Sequence, residues 1–367
     1  MIWTPANVQR IILDSAGRIL QKPHAGLPTN VPAELDLQYE LGLDSLQRME
    51  LAAQLNEFFG IFETSAENYL LRSTTLDHWT RCILRAREQT DNWLTFRTSG
   101  TSGISRSIRH SLPSLLEEAR FLSLLLPIPD QIISCVASNH IYGFIFTILL
   151  PVLWQRPLRL VGDISANDIQ EESLLIGTPF TWEWLNTSLF TGRKVGCQGV
   201  CSTSPLPPAL YTQLQKADIT LTEIYGSSDT GGIGYRKQPD APFVLFPYLT
   251  LLAGDPGQIG RIDTGETFII PDRLEQVSPT EVRLLGRLDE SISIAGVNVY
   301  PAHVRQVIEN CPLVADCDVY AKAEAGVVQL YGAVRLRVHN EANRQACQRW
   351  IQMHLSACER PKHLYLY

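Results

Sequence analysis

The chain has no C-x-x-C pair, no run of lysine and arginine, and no apolar stretch long enough to span a membrane. Its eight cysteines (82, 135, 197, 201, 311, 317, 347 and 358) lack metal-ligand spacing, and 367 residues need no disulfide staples. They read as reduced, mostly buried thiols of a cytoplasmic protein. A formal charge of −7 with no basic stripe gives no support to nucleic-acid binding. The opening residues, MIWTPANVQRIILDS, lack the charged start, apolar block and cleavage site of a secretory signal. The most apolar run, IYGFIFTILLPVLW at 141–154, is too short for a bilayer and is broken by Pro151. A buried strand or helix is expected there, and no membrane span.

What is present divides into three textures, in line with two or three domains for this length. Residues 1 to about 85 read as short helices joined by turn-rich loops such as QKPHAGLPTNVP. In the helix after Ser45, Leu46, Met49 and Ala53 share one face, while Leu51, Leu55 and Phe58 form a second apolar stripe. From about 90 to 283, strand-like runs (QIISCVAS, PLRLVGD, ITLTEIYGSSD) alternate with helical ones, which predicts an α/β layout with largely parallel strands. From LLGRLDESISIAG onward the pattern predicts a small α+β unit with strands DCDVYAKA and VVQLYGAVRLRV and the helix NRQACQRWIQMHLSA. No internal repeat or low-complexity segment interrupts this order.

Ser45 lies in YELGLDSLQRMELA, residues 39–52. Asp44 or Ser45 can serve simply as a helix cap. The longer string LGLDSLQRMELAAQLNEFFGI resembles the phosphopantetheine attachment region of acyl and peptidyl carrier proteins, with LRSTTLDHW following where a carrier's later helices fall. That resemblance implies a carrier domain over 1–85, an all-α four-helix bundle with Ser45 bearing 4′-phosphopantetheine and a phosphopantetheinyl transferase as partner. A hydroxyl at a helix N-terminus suits a phosphodiester, because the N–H groups and dipole there favour negative charge. Gln47 and Arg48 dilute the acidic face that acyl carriers show after this serine, leaving Glu50 and Glu57.

A second signal is FRTSGTSGISRSIRH at 96–110, where small residues alternate with hydroxyls and can enclose phosphate; the P-loop pattern is absent. TSGTSGISR resembles the phosphate signature of the adenylate-forming superfamily, which includes acyl-CoA ligases, luciferases and peptide-synthetase adenylation domains. In the family's order follow SNHIYGFIFTILLP (138–151), EIYGSSDTGGIGYR (223–236), FIIPDRLEQV (268–277) and LLGRLDESISIAGVNVYPAHVRQVI (284–308). The resemblance implies that Thr98, Ser99, Gly100, Thr101, Ser102 and Gly103 enclose the ATP phosphates. Tyr225 and Gly226 would line the adenine side, Ser228 would meet the α-phosphate, and Asp229 would hold Mg²⁺. Asp272 would accept the ribose hydroxyls with Arg287 beside it, and Asp289 would be the hinge. His140, Tyr142 and Gly143 would form the acyl pocket, and Arg106, Asp229 and His140 would act in catalysis. No aspartate stands near HIYGF to hold a substrate ammonium, which favours an aromatic or fatty acid over an α-amino acid.

Departures from the family accompany these implications. Arg106 replaces the loop lysine with a planar fork, and Asp229 is a methylene shorter than the usual glutamate. The carrier runs almost directly into the phosphate loop, so the large domain, 86–285, is expected to be short. The small C-terminal lid domain, 286–367, stops at RPKHLYLY, before the segment that holds the family's catalytic lysine; Lys362 is not given that role. Three readings stay open. In the first, an ATP- and Mg²⁺-dependent ligase loads a carboxylic acid onto its own or another carrier, for downstream acyl-thioester enzymes or carriers. In the second, a carrier and docking module has a degenerate, non-adenylating ligase half. In the third, the acceptor is free coenzyme A. A secondary-metabolite pathway fits by analogy.

Overall fold

The computed structural model describes residues 2–20, 32, 34–64, 69–98, 106–160, 165, 167–252, 257–287, 291–294, 297–324 and 327–367. They form two compact units. The first is Met1–Thr98, Ser107–Ser202 and Leu214–Ile233; the second is Ser99–Arg106, Thr203–Gln213 and Gly234–Tyr367.

The first unit opens with three α-helices, α1 (Pro5–Ile19), α2 (Ser45–Phe59) and α3 (Leu76–Gln89), with single 3-10 turns at Ile61–Glu63 and Leu70–Arg72. Thr4 caps α1 by accepting the Asn7 N–H, and Pro5 supplies a preset φ at its start. Asp44 caps α2 in a reciprocal box with Gln47, and Gly60 ends it at φ +63°. Of the two apolar stripes expected on α2, Leu51, Leu55 and Phe58 are buried, whereas Leu46 and Met49 are 74 % and 57 % exposed and Ala53 is exposed. Only the second stripe packs into the core, and the first lies on the surface.

Next come β1 (Trp93–Thr98), β2 (Arg106–Ser111) and α4 (Leu112–Leu125). β3 (Gln131–Ser134) leads to the apolar run of 141–154, which is helical. It starts as α5 (Ile141–Phe144), passes a π-turn at Ile145–Leu149 and ends as α6 (Leu150–Trp154), with Pro151 tolerated in the first turn of α6. The unit is completed by β4 (Leu158–Leu160), β5 (Ser173–Gly177), α7 (Pro179–Ser188), β6 (Gln198–Cys201), part of α8 (Pro208–Lys216), β7 (Thr220–Ser227) and the start of β8 (Gly231–Arg236). The strands β7-β6-β5-β3-β4 are parallel neighbours, as the alternating pattern predicts. Every residue of β5 is buried, the expected state of a parallel strand covered on both faces.

The carrier-like helices belong to this same unit. Trp3, Phe58 and Phe59 meet Phe96 of β1 and Phe144 of α5 in edge-on and tilted ring contacts with centroids 4.9–6.2 Å apart. Such pairs contribute about 0.5–1.5 kcal/mol each beyond their burial. Glu57 binds Arg97 at 2.6 Å and also accepts from Ser107, and Glu63 binds Arg109 at 2.8 Å.

In the second unit, the end of β8 pairs with β9 (Phe243–Leu245), which pairs with β14 (Glu281–Arg287), itself paired with β13 (Asp272–Ser278). β10 (Leu249–Leu252), β11 (Gln258–Arg261) and β12 (Thr267–Ile269) make a separate antiparallel sheet. After β15 (Ile292–Ile294) and β16 (Val297–Val299) comes the α+β segment expected from the sequence. It consists of α9 (Pro301–Glu309), β17 (Val314–Glu324), β18 (Val327–Leu336), α10 (Glu341–His354) and β19 (His363–Leu366). Val304, Ile308, Leu330, Val334, Cys347 and Ile351 form its core.

All eight cysteines are free thiols, five of them buried, and burial pushes Cys135, Cys197, Cys317 and Cys347 up to about 12. Among the described residues no helix is long and apolar enough to cross a membrane.

Candidate active site and carrier serine

Ser45 is the first residue of α2 and is exposed. The capping task falls to Asp44, whose carboxylate accepts the Gln47 N–H at 2.8 Å while Gln47 returns a bond to the Asp44 N–H at 3.0 Å. The serine hydroxyl is thereby left for other use. Exposed Leu46 and Met49 lie beside it on the same helix.

The strand–turn–strand of β7 and β8 carries Tyr225, Gly226, Ser228 and Asp229. Tyr225 is 7 % exposed within β7. At Gly226 an added Cβ would lie 2.3 Å from the Gly231 carbonyl oxygen, so only glycine lets the two strands close here. The turn itself is tied by Ser227 and Thr230, hydroxyl to hydroxyl at 2.9 Å.

Two residues not singled out from the sequence hold this turn from outside. His110 of β2, twelve positions beyond Thr98, has Nε2 2.7 Å from the Ser228 carbonyl oxygen, so that nitrogen bears the proton and donates it. Glu118 of α4 is buried, and both its carboxylate oxygens accept the Gly232 N–H at 3.0 Å. Gly231, at φ +75°, leaves the room: its Cβ would come within 2.7 Å of Glu118 Oε2. A sequence signal existed for Glu118, since it falls on the apolar stripe Leu115, Ala119 and Leu122, where a carboxylate needs a partner. For His110 no such signal exists.

His140 N-caps α5 with its backbone. The residue is exposed overall, and desolvation by the protein around its imidazole is the main cause lowering its pKa to about 4. The nearby positive charge of Arg18 lowers it further, and Asp14 opposes. The imidazole is neutral at pH 7. Tyr142 donates to the Gly177 carbonyl at 3.0 Å, and burial with the neighbouring thiols of Cys201 and Cys135 holds its phenol protonated. At Gly143 a Cβ would fall 1.8 Å from the Ala137 carbonyl oxygen, so this glycine permits a close backbone approach. The π-turn that follows is a distortion frequent at functional sites.

In the second unit Asp272 is 8 % exposed and stands opposite Arg287 in the β13–β14 ladder, with side chains 3.7 Å apart. Arg106 is the exposed first residue of β2. Ser99, Gly100, Thr101, Ser102, Gly103, Asp289 and the side chain of Thr98 lie outside the described residues. No group of three metal-ligating side chains stands together among the described residues. Mg²⁺ needs no such cage, because it keeps waters and takes one or two carboxylates plus substrate phosphates. Asp229, the one carboxylate in its turn, fits an ion that arrives with ATP.

Comparison with known proteins agrees with both halves. The model of the phosphopantetheine attachment site matches residues 12–83. The chain is 36 % identical over 290 residues to a 4-coumarate–CoA ligase of Rhodobacter capsulatus, covering 74 % of this chain and 73 % of the ligase. To a 4-coumarate–CoA ligase of Halorhodospira halophila it is 32 % identical over 329 residues, covering 88 % and 83 %. The 12 % left unmatched is about half of the 85-residue carrier-like segment, so part of that segment has a counterpart in that ligase. Among solved structures, the amide bond synthetase McbA of Marinactinospora thermotolerans superposes with a TM-score of 0.64 at 13 % identity, over 99 % of this chain and 90 % of that one, a likeness of fold. The identities and the ordered motifs show that the chain belongs to the 4-coumarate–CoA ligase family of adenylate-forming enzymes, with a phosphopantetheine attachment domain at its N-terminus.

Proposed function

We propose that the protein activates an aromatic carboxylic acid with ATP and transfers the acyl group to a pantetheine thiol. A carboxylate oxygen of the acid bonds to the α-phosphorus of ATP while the bond to the pyrophosphate oxygen breaks, giving acyl-AMP and pyrophosphate. The thiol sulfur then attacks the acyl carbon, its proton passes to solvent, and AMP leaves. Ser99, Gly100, Thr101, Ser102 and Gly103, with Thr98 and Arg106, would hold the phosphates. Ser228 and Asp229 would meet the α-phosphate and Mg²⁺, Tyr225 and Gly226 the adenine, and Asp272 with Arg287 the ribose. Fixed donors and charges at developing phosphate charge are the main source of stabilisation in such steps. Neutral His140, with Tyr142, would face the acid, and the carboxylate-free apolar run 141–150 beside them suits an aromatic ring better than an ammonium group. Asp289 would be the hinge of the C-terminal lid.

The observation that carries this reading is the ordered set of ligase motifs in a chain more than 30 % identical to two 4-coumarate–CoA ligases. The first acceptor proposed is the chain's own arm on Ser45, supported by a serine released from capping and exposed. A second reading, free coenzyme A, is favoured by the relatives' names. When attached, the arm supplies the reacting thiol. The layout proposed is a carrier module over 1–85, with the 3-10 turn Leu70–Arg72 standing for the short helix of its four-helix bundle, then 86–285 and 286–367. A phosphopantetheinyl transferase and downstream acyl-thioester enzymes would be partners, in the cytoplasm, where free thiols persist.

The test incubates holo protein, ATP and Mg²⁺ with 4-coumarate, cinnamate, benzoate and octanoate, with and without coenzyme A. An acyl adduct by intact mass that is absent in Ser45→Ala supports the arm. Acyl-CoA formed equally by wild type and Ser45→Ala supports the second acceptor. No acyl product in either arm defeats both.

A further inference from the structure

The first helix of the carrier-like segment is bound to the ligase segment that carries His140. Asp14, 5 % exposed on α1, accepts the Ser138 N–H through Oδ2 at 2.6 Å across 124 residues of sequence. Beside it, Asn139 Nδ2 donates to Ser15 Oγ at 3.4 Å, and Ser15 is also buried. Ser138 is fully buried, and its hydroxyl accepts from Thr147 of the π-turn at 2.9 Å. Asn139 Oδ1 is buried with no hydrogen-bond partner among the described residues, an acceptor placed one residue before exposed His140. A buried N–H or carbonyl left without a partner costs about 1–3 kcal/mol, so the Asp14 carboxylate has a strong hold on where residues 138–140 sit.

We propose that Asp14, in the carrier-like segment, is a positioning residue of the ligase's acid site. It fixes the 138–140 backbone so that His140 and Tyr142 face the acid in one arrangement. This rests on the reading of residues 138–143 as the acid pocket. The helix that bears Asp14 therefore cannot leave the ligase core without releasing that pocket. A carrier that must travel between distant enzymes is poorly served by such a bond, whereas a built-in wall of a ligase is well served by it. The partial counterpart of the segment in a 4-coumarate–CoA ligase agrees.

The experiment compares wild type, Asp14→Ala, Asp14→Asn and Asp14→Glu in acid-dependent ATP–pyrophosphate exchange with 4-coumarate, or the best acid of the panel. It is paired with hydrogen exchange of the backbone amides. Asp14→Ala should raise the KM for the acid about tenfold while the KM for ATP stays within twofold, the magnitude of one lost charged hydrogen bond. Asp14→Asn keeps an acceptor and should restore most of the loss. Amide protection at 138–140 should fall in Asp14→Ala, return in Asp14→Asn, and stay unchanged in β17 and β18. Should Asp14→Ala not fold, Asp14→Glu keeps charge and acceptor but is a methylene too long, and it should show the same acid-specific rise. An acid KM within twofold of wild type in a folded Asp14→Ala or Asp14→Glu, or equal rises for acid and ATP, overturns this inference alone. Absence of exchange in wild type with every acid overturns the functional reading and this inference with it.

Discussion

Arg87, near the end of α3, donates from Nη1 to the carbonyl oxygen of Trp93 at 2.9 Å. The same nitrogen donates to the Phe59 carbonyl at 2.8 Å, and the guanidinium is ion-paired with Asp91 and lies over the Trp3 ring. One buried cation thus ties α2, α3 and the first strand of the ligase together. Arg87→Met should cost about 2–4 kcal/mol, because it strands two carbonyls, whereas Asp91 is 42 % exposed and keeps the Trp3 N–H. Hydrogen exchange at rising urea should show α2, α3 and β5 losing protection together, at a lower midpoint in Arg87→Met. Loss of protection in α2 and α3 well before β5 in the wild type would show that the helical segment folds as its own domain.

Division of labour between Asp44 and Ser45 predicts opposite phenotypes. Asp44→Ala should lose about 1 kcal/mol through the missing cap. Ser45→Ala should be within about 0.5 kcal/mol of wild type, as exposed substitutions are, yet lose all phosphopantetheine attachment. Intact mass after treatment with a transferase, beside urea melts, separates the two. Attachment surviving in Ser45→Ala would place the arm elsewhere.

Gly231 tests the turn that holds Ser228 and Asp229. Gly231→Ala forces a Cβ against Glu118 at a left-handed φ, which costs about 1–3 kcal/mol. A shift of the turn should lower pyrophosphate exchange by about a hundredfold at saturating acid, since misplacement by an ångström has that scale. Unchanged exchange would remove the turn from the phosphate site.

His140 makes stability depend on pH with a definite sign. Its folded pKa, about 4, lies below the unfolded value of 6.5. Between these values the unfolded chain binds a proton that the folded chain refuses, so this residue lowers stability as pH falls from 6.5 toward 4 and has no such effect above 6.5. Urea melts at pH 7.5 and 5.0 should show a smaller acid loss in His140→Asn than in wild type. An equal loss would mean that His140 titrates normally.

Much of the ligase half was legible because its motifs are local strings: the parallel character of β3, β5, β6 and β7 and the turn bearing Ser228 and Asp229 follow the sequence pattern, whereas the strand order did not. The pairing of Asp272 with Arg287, proposed for the ribose, was legible as well, since the two meet across one hairpin. On α2 the pattern was ambiguous. Two apolar stripes were present, and only packing against β1 and α3 decided that Leu51 and Phe58 turn inward and Leu46 outward. The joining of α1 to residues 138–140 was illegible, because Asp14 and Ser138 are linked by a bond between residues 124 apart. A buried carboxylate among Ile11, Ile12 and Leu13 did signal a partner without naming it.

The most direct measurement is acid-dependent exchange of labelled pyrophosphate into ATP by the purified wild-type protein across the four-acid panel, with Asp272→Ala as control. Exchange that requires an aromatic acid and falls at least tenfold in the control is the predicted result. Exchange no faster than buffer with every acid would contradict the claim that this chain energises a carboxyl group.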